Sequence, residues 1–233
     1  MNHDTAWLTE DGVAFGVGLR RLGFGSDRAP RVLESGTART ITPKRRAWRP
    51  LERERMTKPR LIVMTGAPGT GKTAILRSLE PTLIHVPEPA REVLAEQRAI
   101  GGTGTPQSDV ARFVELLLER SIEKHRAALE RGQSVLFDRG VPDCVAYARQ
   151  LGGNPEPCRK AAALYRYEGA VLVARPWEAI YTTDEERTMT FAATLPFQRL
   201  IEEAYLEAGY ELMEIPRGPL HERVDFVARF TSR

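Results

Sequence analysis

One short glycine-rich segment limits what this chain can fold into more than any other feature. It follows the apolar run Leu61–Met64 and precedes Ala74–Leu79, whose apolar residues recur at helical spacing. The segment matches the pattern G-x-x-x-x-G-K-[ST], and a position between a predicted strand and a predicted helix is the context that this pattern requires. The sequence therefore predicts a phosphate-binding loop, or P-loop, made of Gly66, Ala67, Pro68, Gly69, Thr70, Gly71, Lys72 and Thr73.

Each part of the loop has a physical task. The glycines allow backbone N–H groups to turn inward around phosphate oxygens, and the following helix adds the positive end of its dipole. Lys72 is expected to reach the β and γ phosphates, and the Thr73 hydroxyl to ligate magnesium. The predicted ligands are therefore ATP and Mg²⁺. GTP is the alternative nucleotide, because no base-reading motif is plain; the turn Pro216–Pro219 is a place for the base to lie.

Short apolar runs alternate with helical patterns from Leu61 onward. Such an alternation is typical of a parallel sheet covered by helices on both faces, which predicts an α/β three-layer sandwich. The five runs predicted as strands are Leu61–Met64, Leu83–His85, Val135–Phe137, Val171–Ala174 and Glu211–Ile215.

Residues 1–58 have a different composition, rich in Gly, Arg, Thr and Pro, without a sustained hydrophobic period. We expect a disordered leader there and a nucleotide-binding domain over residues 59–233. Met56 is an alternative natural start. The arginines of 45–55 are interpreted as a solvated basic segment, with a tail that binds nucleic acid or anionic lipid as the alternative.

Composition excludes several classes of protein. The net charge is +3 and the pI about 9.0, a mild excess that the leader largely supplies. Cys144 and Cys158 have no zinc spacing, so we expect reduced thiols and a cytoplasmic location. No apolar run is long enough for a bilayer span, so a membrane partner is not expected. The sequence does not fix the oligomeric state.

Polar residues follow two of the predicted strands, where ligands of open α/β sheets bind. Asp138 is expected to hold magnesium-bound water or to accept a proton from a substrate hydroxyl, and Arg139 to direct charge at the transferring phosphates; a strand-end turn with a surface ion pair is the alternative. Glu88 is expected to bind a sugar hydroxyl and Arg91 an anionic group of the substrate. For this pair, a helix-terminal acid beside a solvated arginine is the alternative.

The charged stretch 174–187 follows the fourth predicted strand. Small kinases close such a segment over the phosphates as a lid that excludes water. Arg187, with Arg175 as a second candidate, is expected to stabilise charge on the migrating phosphoryl group. A plain solvent-exposed helix is the alternative.

Other P-loop classes fit less well. No DxxG follows the third strand and no NKxD occurs later, which argues against a GTPase. Hexameric motor ATPases place two acids after an apolar strand, whereas here Arg139 follows Asp138. The pattern favours a monomeric phosphotransferase arrangement.

With these residues in view, the region from Arg60 to Phe230 resembles the NadR-like AAA-type P-loop domains, a group that includes ribosylnicotinamide kinase domains. The resemblance is carried by GAPGTGKT, EPAREV, FDRGVPD, PWEAIYTTDEER, GYELMEIP and HERVDFV. It implies the sheet order 2-3-1-4-5, a lid, and ATP as phosphoryl donor. It does not imply one substrate, because the group is functionally mixed.

The leading hypothesis is an enzyme, an ATP- and magnesium-dependent kinase of a small hydroxyl-bearing, nucleoside-like molecule. Its catalytic residues would be Lys72, Asp138 and Arg187, and its metal ligands Thr73 and Asp138. A nucleotide-regulated binding protein with little or no phosphotransfer is the rival hypothesis. A polynucleotide kinase is a third; it requires a basic groove, and nucleic acid is therefore not the expected partner.

Overall fold

The computed structural model describes residues 59–80, 82–181 and 189–232. The predicted leader, residues 1–58, and Arg187 of the predicted lid lie outside them. The strands are β1 (Leu61–Thr65), β2 (His85–Val86), β3 (Val135–Asp138), β4 (Ala170–Val173) and β5 (Glu211–Glu214). The helices are α1 (Lys72–Leu79), α2 (Pro89–Ile100), α3 (Val110–Arg131), α4 (Val141–Gln150), α5 (Glu156–Leu164), α6 (Phe191–Glu207) and α7 (Leu220–Thr231), with a short 3₁₀ helix at Glu178–Ile180.

The strands form one parallel sheet in the order β2-β3-β1-β4-β5. This confirms the predicted fold class and the order that the resemblance implied. Met64 at the end of β1 is in register with Asp138 of β3, and Thr65 with Val173 of β4. The carboxyl ends of the three central strands therefore meet at one edge, directly below the P-loop.

The core lies in two layers, one on each face of the sheet. Leu61 and Val63 of β1 face the layer that also contains the buried residues of α2, α3, α4 and α6. Ile62 and Met64 face the opposite layer, which α1 and α7 cover. Both faces of β1 are thus buried, which explains why its sequence is continuously apolar rather than alternating.

The predicted second strand is wrong at its boundaries. Ile84 is 37% exposed, and although its carbonyl oxygen accepts from the N–H of Leu136, the strand itself begins at His85, which is in register with Leu136. Pairing with β3, rather than the apolar run, therefore sets where this edge strand begins. Asp138, expected just beyond the third strand, is its last residue. Within the described ranges, no helix has the length and apolar character needed to cross a membrane.

Candidate functional site

The P-loop connects β1 to the first turn of α1 and requires glycine at two of its turns. Gly66 has φ of 141°, and a Cβ there would lie 2.1 Å from the carbonyl oxygen of Ala174 after β4. Gly71 has φ of 82° and precedes the first residue of α1. L-residues with a side chain rarely adopt these angles, so the motif glycines are required by backbone geometry as well as by the expected ligand.

Lys72 is buried, and its ammonium group folds back onto the loop. Nζ donates to the carbonyl oxygens of Gly66 at 2.8 Å and Ala67 at 3.1 Å, and to Oγ1 of Thr70 at 3.4 Å. Burial lowers the pKa of Lys72 to about 8, with the positive charge of Arg139 as the next cause. The ammonium group is therefore held beside the loop by neutral acceptors, which an anion of higher affinity can replace.

Asp138 ends β3 with a carboxylate that is 5% exposed. Its Oδ1 atom is buried and has no hydrogen-bond partner among the described residues. Burial raises the pKa of Asp138 to about 6, against the lowering effect of Lys72. A buried polar atom without a partner is rare in folded proteins and marks Asp138 as a group awaiting a ligand or a proton.

A cavity of about 200 Å³ opens beside Asp138. Of the predicted site residues, it brings together Thr73, Glu88, Arg91 and Asp138. Its walls come from α1, β2, the end of β3 and the start of α2. The full lining is Thr73, Leu76, Arg77, Glu80, His85, Pro87, Glu88, Arg91 and Asp138.

Arg139 does not lie where the sequence predicted it. It was expected to direct its charge at the transferring phosphates, or else to form a surface ion pair; the side chain is instead 3% exposed. Nε donates to Glu88 at 2.7 Å and NH1 to Asp143 at 3.0 Å. The guanidinium also lies over the rings of Tyr147 and Phe197. Successive side chains along a strand point to opposite sides, so the residue after Asp138 does not share its direction. The backbone of Arg139 also has a positive φ of 72°.

Glu88 is held by three donors. Oε1 accepts from Arg139 and, at 3.2 Å, from the hydroxyl of Tyr147, while Oε2 accepts from Nε of Arg91 at 3.1 Å. Burial would raise the pKa of Glu88, but Arg139, Lys72 and Arg91 together lower it to about 2. Glu88 is therefore a fixed carboxylate at the cavity wall, ionised throughout the neutral range.

Asp143, in the first turn of α4, is the last residue of the motif FDRGVPD, but its role could not be predicted from the sequence. Its Oδ1 accepts from the hydroxyl of Thr65 at 2.6 Å and from Arg139. Its Oδ2 accepts from the hydroxyl of Tyr205 at 2.6 Å and from the backbone N–H of Gly140 at 2.9 Å. Four bonds to a buried carboxylate tie the ends of β1 and β3 to α4 and α6. An acid three residues after Gly140 was the only local signal for it.

Two contacts on the loop also escaped sequence reasoning. The side-chain oxygen of Gln198, on α6, accepts from the backbone N–H of Ala67 at 2.8 Å. The ring of Tyr181 covers Gly69 so closely that a Cβ there would lie 2.4 Å from two ring carbons. Gln198 belongs to none of the motifs, and Tyr181 lies in PWEAIYTTDEER but had no role assigned to it, since each residue reaches the loop through tertiary packing.

Arg175, the weaker of the two lid candidates, is engaged elsewhere. Nε donates to Glu202 at 2.9 Å and NH1 to Glu214 at 2.8 Å. Both partners are carboxylates, on α6 and β5, so the assignment of Arg175 to the phosphoryl group is not retained. Arg187 and its role lie outside the described residues.

Magnesium fits the side chains around the cavity. The ion takes oxygen ligands, commonly one or two carboxylates together with substrate phosphates and water. The unpartnered Oδ1 of Asp138 and the hydroxyl of Thr73 line the same space. No cluster of three His, Cys, Asp or Glu side chains suited to a metal occurs among the described residues, so these two would act with bound nucleotide rather than as an all-protein site.

Comparison with known proteins agrees with the resemblance drawn from the motifs. The family model of the AAA domain matches residues 61–223. The structure of NadR protein in complex with NR has a TM-score of 0.56 at 18% identity, over 77% of this chain and 52% of that one. NadR protein in complex with NAD and AMP-PNP has a TM-score of 0.53 at 17% identity, over 75% and 50%. The chain thus spans about half the length of these structures, and at this identity the likeness establishes the fold.

Proposed function

The chain belongs to the AAA domain family, and we propose that it is an ATP- and magnesium-dependent phosphotransferase acting on a small hydroxyl-bearing, nucleoside-like molecule. The observation that carries the proposal is the cavity that Thr73, Glu88 and Asp138 share beside the P-loop. A kinase needs space for an acceptor next to the terminal phosphate. A protein that only binds nucleotide has no such need.

In the proposed reaction the acceptor oxygen attacks the terminal phosphorus, the bond to the bridging oxygen breaks, and ADP leaves. The proton of the acceptor hydroxyl passes to Asp138. With a pKa of about 6, this carboxylate is ionised at pH 7.5 yet more basic than an exposed aspartate. Lys72 moves from the loop carbonyls to the phosphate oxygens, and Arg187 contributes a second positive charge there. When bound, magnesium would neutralise phosphate charge, held by Thr73 and, as the alternative to proton acceptance, by Asp138.

Glu88 and Arg91 are proposed to orient the acceptor. A carboxylate offers about four acceptor positions. Counting the described residues, Arg139, Tyr147 and Arg91 occupy three of those on Glu88, which leaves one on Oε2 for a sugar hydroxyl. Arg139 is then a positioning residue that fixes Glu88, not a substrate contact. Orientation of this kind supplies much of the rate in phosphoryl transfer.

A panel of nucleosides and sugars, incubated with ATP and Mg²⁺ and assayed for ADP and phosphorylated product, tests the proposal. We expect one acceptor class to be phosphorylated, and Asp138→Asn to lower kcat at least about 100-fold, within the range of general base catalysis. Asp225→Asn, an exposed carboxylate on α7, is the control and should leave kcat unchanged. ATP binding without turnover against the whole panel would refute the kinase assignment.

The same variant separates the two roles of Asp138. If the carboxylate accepts the proton, kcat of the wild type falls at pH below about 6, and the loss in Asp138→Asn persists at saturating Mg²⁺. If it mainly holds the metal, the variant requires more Mg²⁺ for half-maximal rate and recovers at high concentration.

A nucleotide-dependent binding protein remains the second candidate, and the contacts of Gln198 and Tyr181 on the loop favour it. Nucleotide that displaced Gln198 would shift α6, which carries this residue. Strong changes in hydrogen exchange along α6 on ATP binding, with no product from the panel, would support this alternative. For either function we propose a cytoplasmic location, because both cysteines are free, buried thiols, consistent with a reducing compartment.

A further inference from the structure

A second cation lies against the P-loop, supplied by the C-terminal helix. Arg223, in the first turn of α7, donates from NH2 to the carbonyl oxygen of Thr70 at 2.7 Å, across 153 positions of sequence. Its NH1 atom would lie 2.6 Å from a Cβ placed on Gly71. The side chain is 6% exposed. Helix α7 therefore holds a buried guanidinium at the glycine that precedes Lys72.

Among the described residues, no carboxylate neutralises the charge of Arg223. None of the ion pairs within the described residues includes it, and its buried Nε has no hydrogen-bond partner there. Glu222 and Asp225, the acids next to it on α7, are exposed. Burial lowers the pKa of Arg223, as expected for a desolvated cation without an acid beside it. Arginine is rarely buried unless it is paired, so this position needs a reason.

The bond to Thr70 also orients the loop. The C=O and N–H groups of a trans peptide point in opposite directions. Because Arg223 holds the Thr70 carbonyl toward α7, the N–H of Gly71 is turned away from that helix. Inward-facing N–H groups are what a phosphate-binding loop presents to its anion. Arg223 therefore fixes the Thr70–Gly71 peptide and also places a positive charge at the same turn.

We propose that Arg223 supports nucleotide binding from behind the loop: it fixes the Thr70–Gly71 peptide, and its charge is balanced across that peptide by the phosphates of a nucleoside di- or triphosphate held in the P-loop. The inference rests on the nucleotide binding of the proposed function and not on phosphoryl transfer. Within the part of the chain that the structure describes, the guanidinium has no carboxylate partner, and binding of the polyphosphate anion supplies the negative charge. The phosphates, rather than the base, are the recognised chemistry.

Equilibrium titration of the full chain with ADP, ATP and inorganic tripolyphosphate tests this. Arg223→Met keeps the apolar stem and removes the charge; Arg223→Lys keeps the charge and loses the planar guanidinium. Arg229→Met, exposed on the same helix, is the control. We expect Arg223→Met to weaken all three ligands about tenfold or more, about 1.4 kcal/mol. The affinity of Arg223→Lys should lie between those of Arg223→Met and the wild type. The affinity of the control should stay within twofold of the wild-type value.

Thermal unfolding with and without ATP separates binding from a purely structural role. The ligand-free midpoint of Arg223→Met should equal or exceed that of the wild type, while the rise produced by saturating ATP should shrink. A lower ligand-free midpoint with unchanged affinity would overturn the proposal. So would a loss of affinity confined to ADP and ATP, because tripolyphosphate lacks a base. If Arg223→Met does not fold, Arg223→Gln, which also removes the charge, takes its place, and wild-type affinity in Arg223→Gln overturns the proposal. A wild type that binds none of the three ligands refutes the proposed function itself, whereas binding without transfer leaves Arg223 assigned.

Discussion

Replacing Arg139 by methionine tests the buried charge network at the edge of the sheet. Methionine keeps an apolar stem beside Tyr147 but leaves the carboxylates of Glu88 and Asp143 without their shared cation. The depression of the Glu88 pKa from 4.5 to about 2 corresponds to about 3 kcal/mol of stability at neutral pH. Removing one partner of a buried ion pair typically costs about 3–5 kcal/mol. We therefore expect Arg139→Met to lose about 3–5 kcal/mol, which lowers the thermal midpoint by roughly 6–20 °C.

Urea unfolding of the wild type and the variant across pH gives the sign of the effect. The folded pKa of Glu88 lies below its unfolded value, so its stabilising contribution is complete above about pH 4.5 and disappears as the pH falls toward 2. The difference in unfolding free energy between wild type and Arg139→Met should be constant above about pH 5 and shrink below it.

Arg175→Met is the matched control, because Arg175 also donates to two carboxylates but is 44% exposed. Exposed pairs contribute about 0–1 kcal/mol. Similar losses in the two variants, or a loss at Arg139 that does not change at low pH, would refute the argument from burial.

Three further variants address the loop and its neighbours. Asp138→Asn should be about 3 kcal/mol more stable than the wild type at pH 7, because the folded pKa of Asp138, about 6, exceeds the ordinary 3.8. In urea titrations this gain in unfolding free energy should appear between about pH 4 and 6. Equal stabilities of the two proteins at pH 7 would contradict it. The ATP affinity of the wild type, measured by calorimetry, should be constant below pH 8 and fall by up to about tenfold per pH unit above it, because Lys72 loses its proton. Lys72→Ala should bind ATP weakly at every pH. Gln198→Leu should lower the free energy of unfolding, measured by thermal unfolding, by about 1–3 kcal/mol, because it leaves the buried N–H of Ala67 without its acceptor. Gln150→Leu, at an exposed position of α4, is the control and should leave the stability unchanged.

The sheet could be predicted from the sequence because its signal is local. Each central strand is buried on both faces, so continuous apolar runs identify β1, β3 and β4 directly. Strand β2 has only two residues at the edge, and its boundaries depend on which backbone groups reach β3. The strand-end rule also placed Asp138 correctly beside the P-loop, since parallel strands carry their carboxyl ends to the same edge.

The partners of the site could not be predicted in the same way. Arg139 follows Asp138 in sequence, yet its backbone makes a left-handed turn and its side chain lies in the core against Glu88 and Asp143. Nothing in the residue types announces that turn, because it is an arginine and not a glycine that adopts it. Arg223 and Gln198 reach the loop from α7 and α6, more than 100 positions away. Contacts of that kind follow from packing of complete helices and leave no local pattern.

Charge compensation gives the two buried arginines opposite roles. Arg139 has two carboxylates in the ligand-free protein, so its charge is already balanced and should stabilise the fold. Arg223 has none within the described residues and donates only to a carbonyl, so its balance should come from the nucleotide. Arg139→Met should therefore lower the ligand-free thermal midpoint, whereas Arg223→Met should lower only the increment that ATP adds. Measuring both variants with and without ATP separates the two cases. If both lose mainly ligand-free stability, compensation within the protein does not decide which arginine serves the ligand.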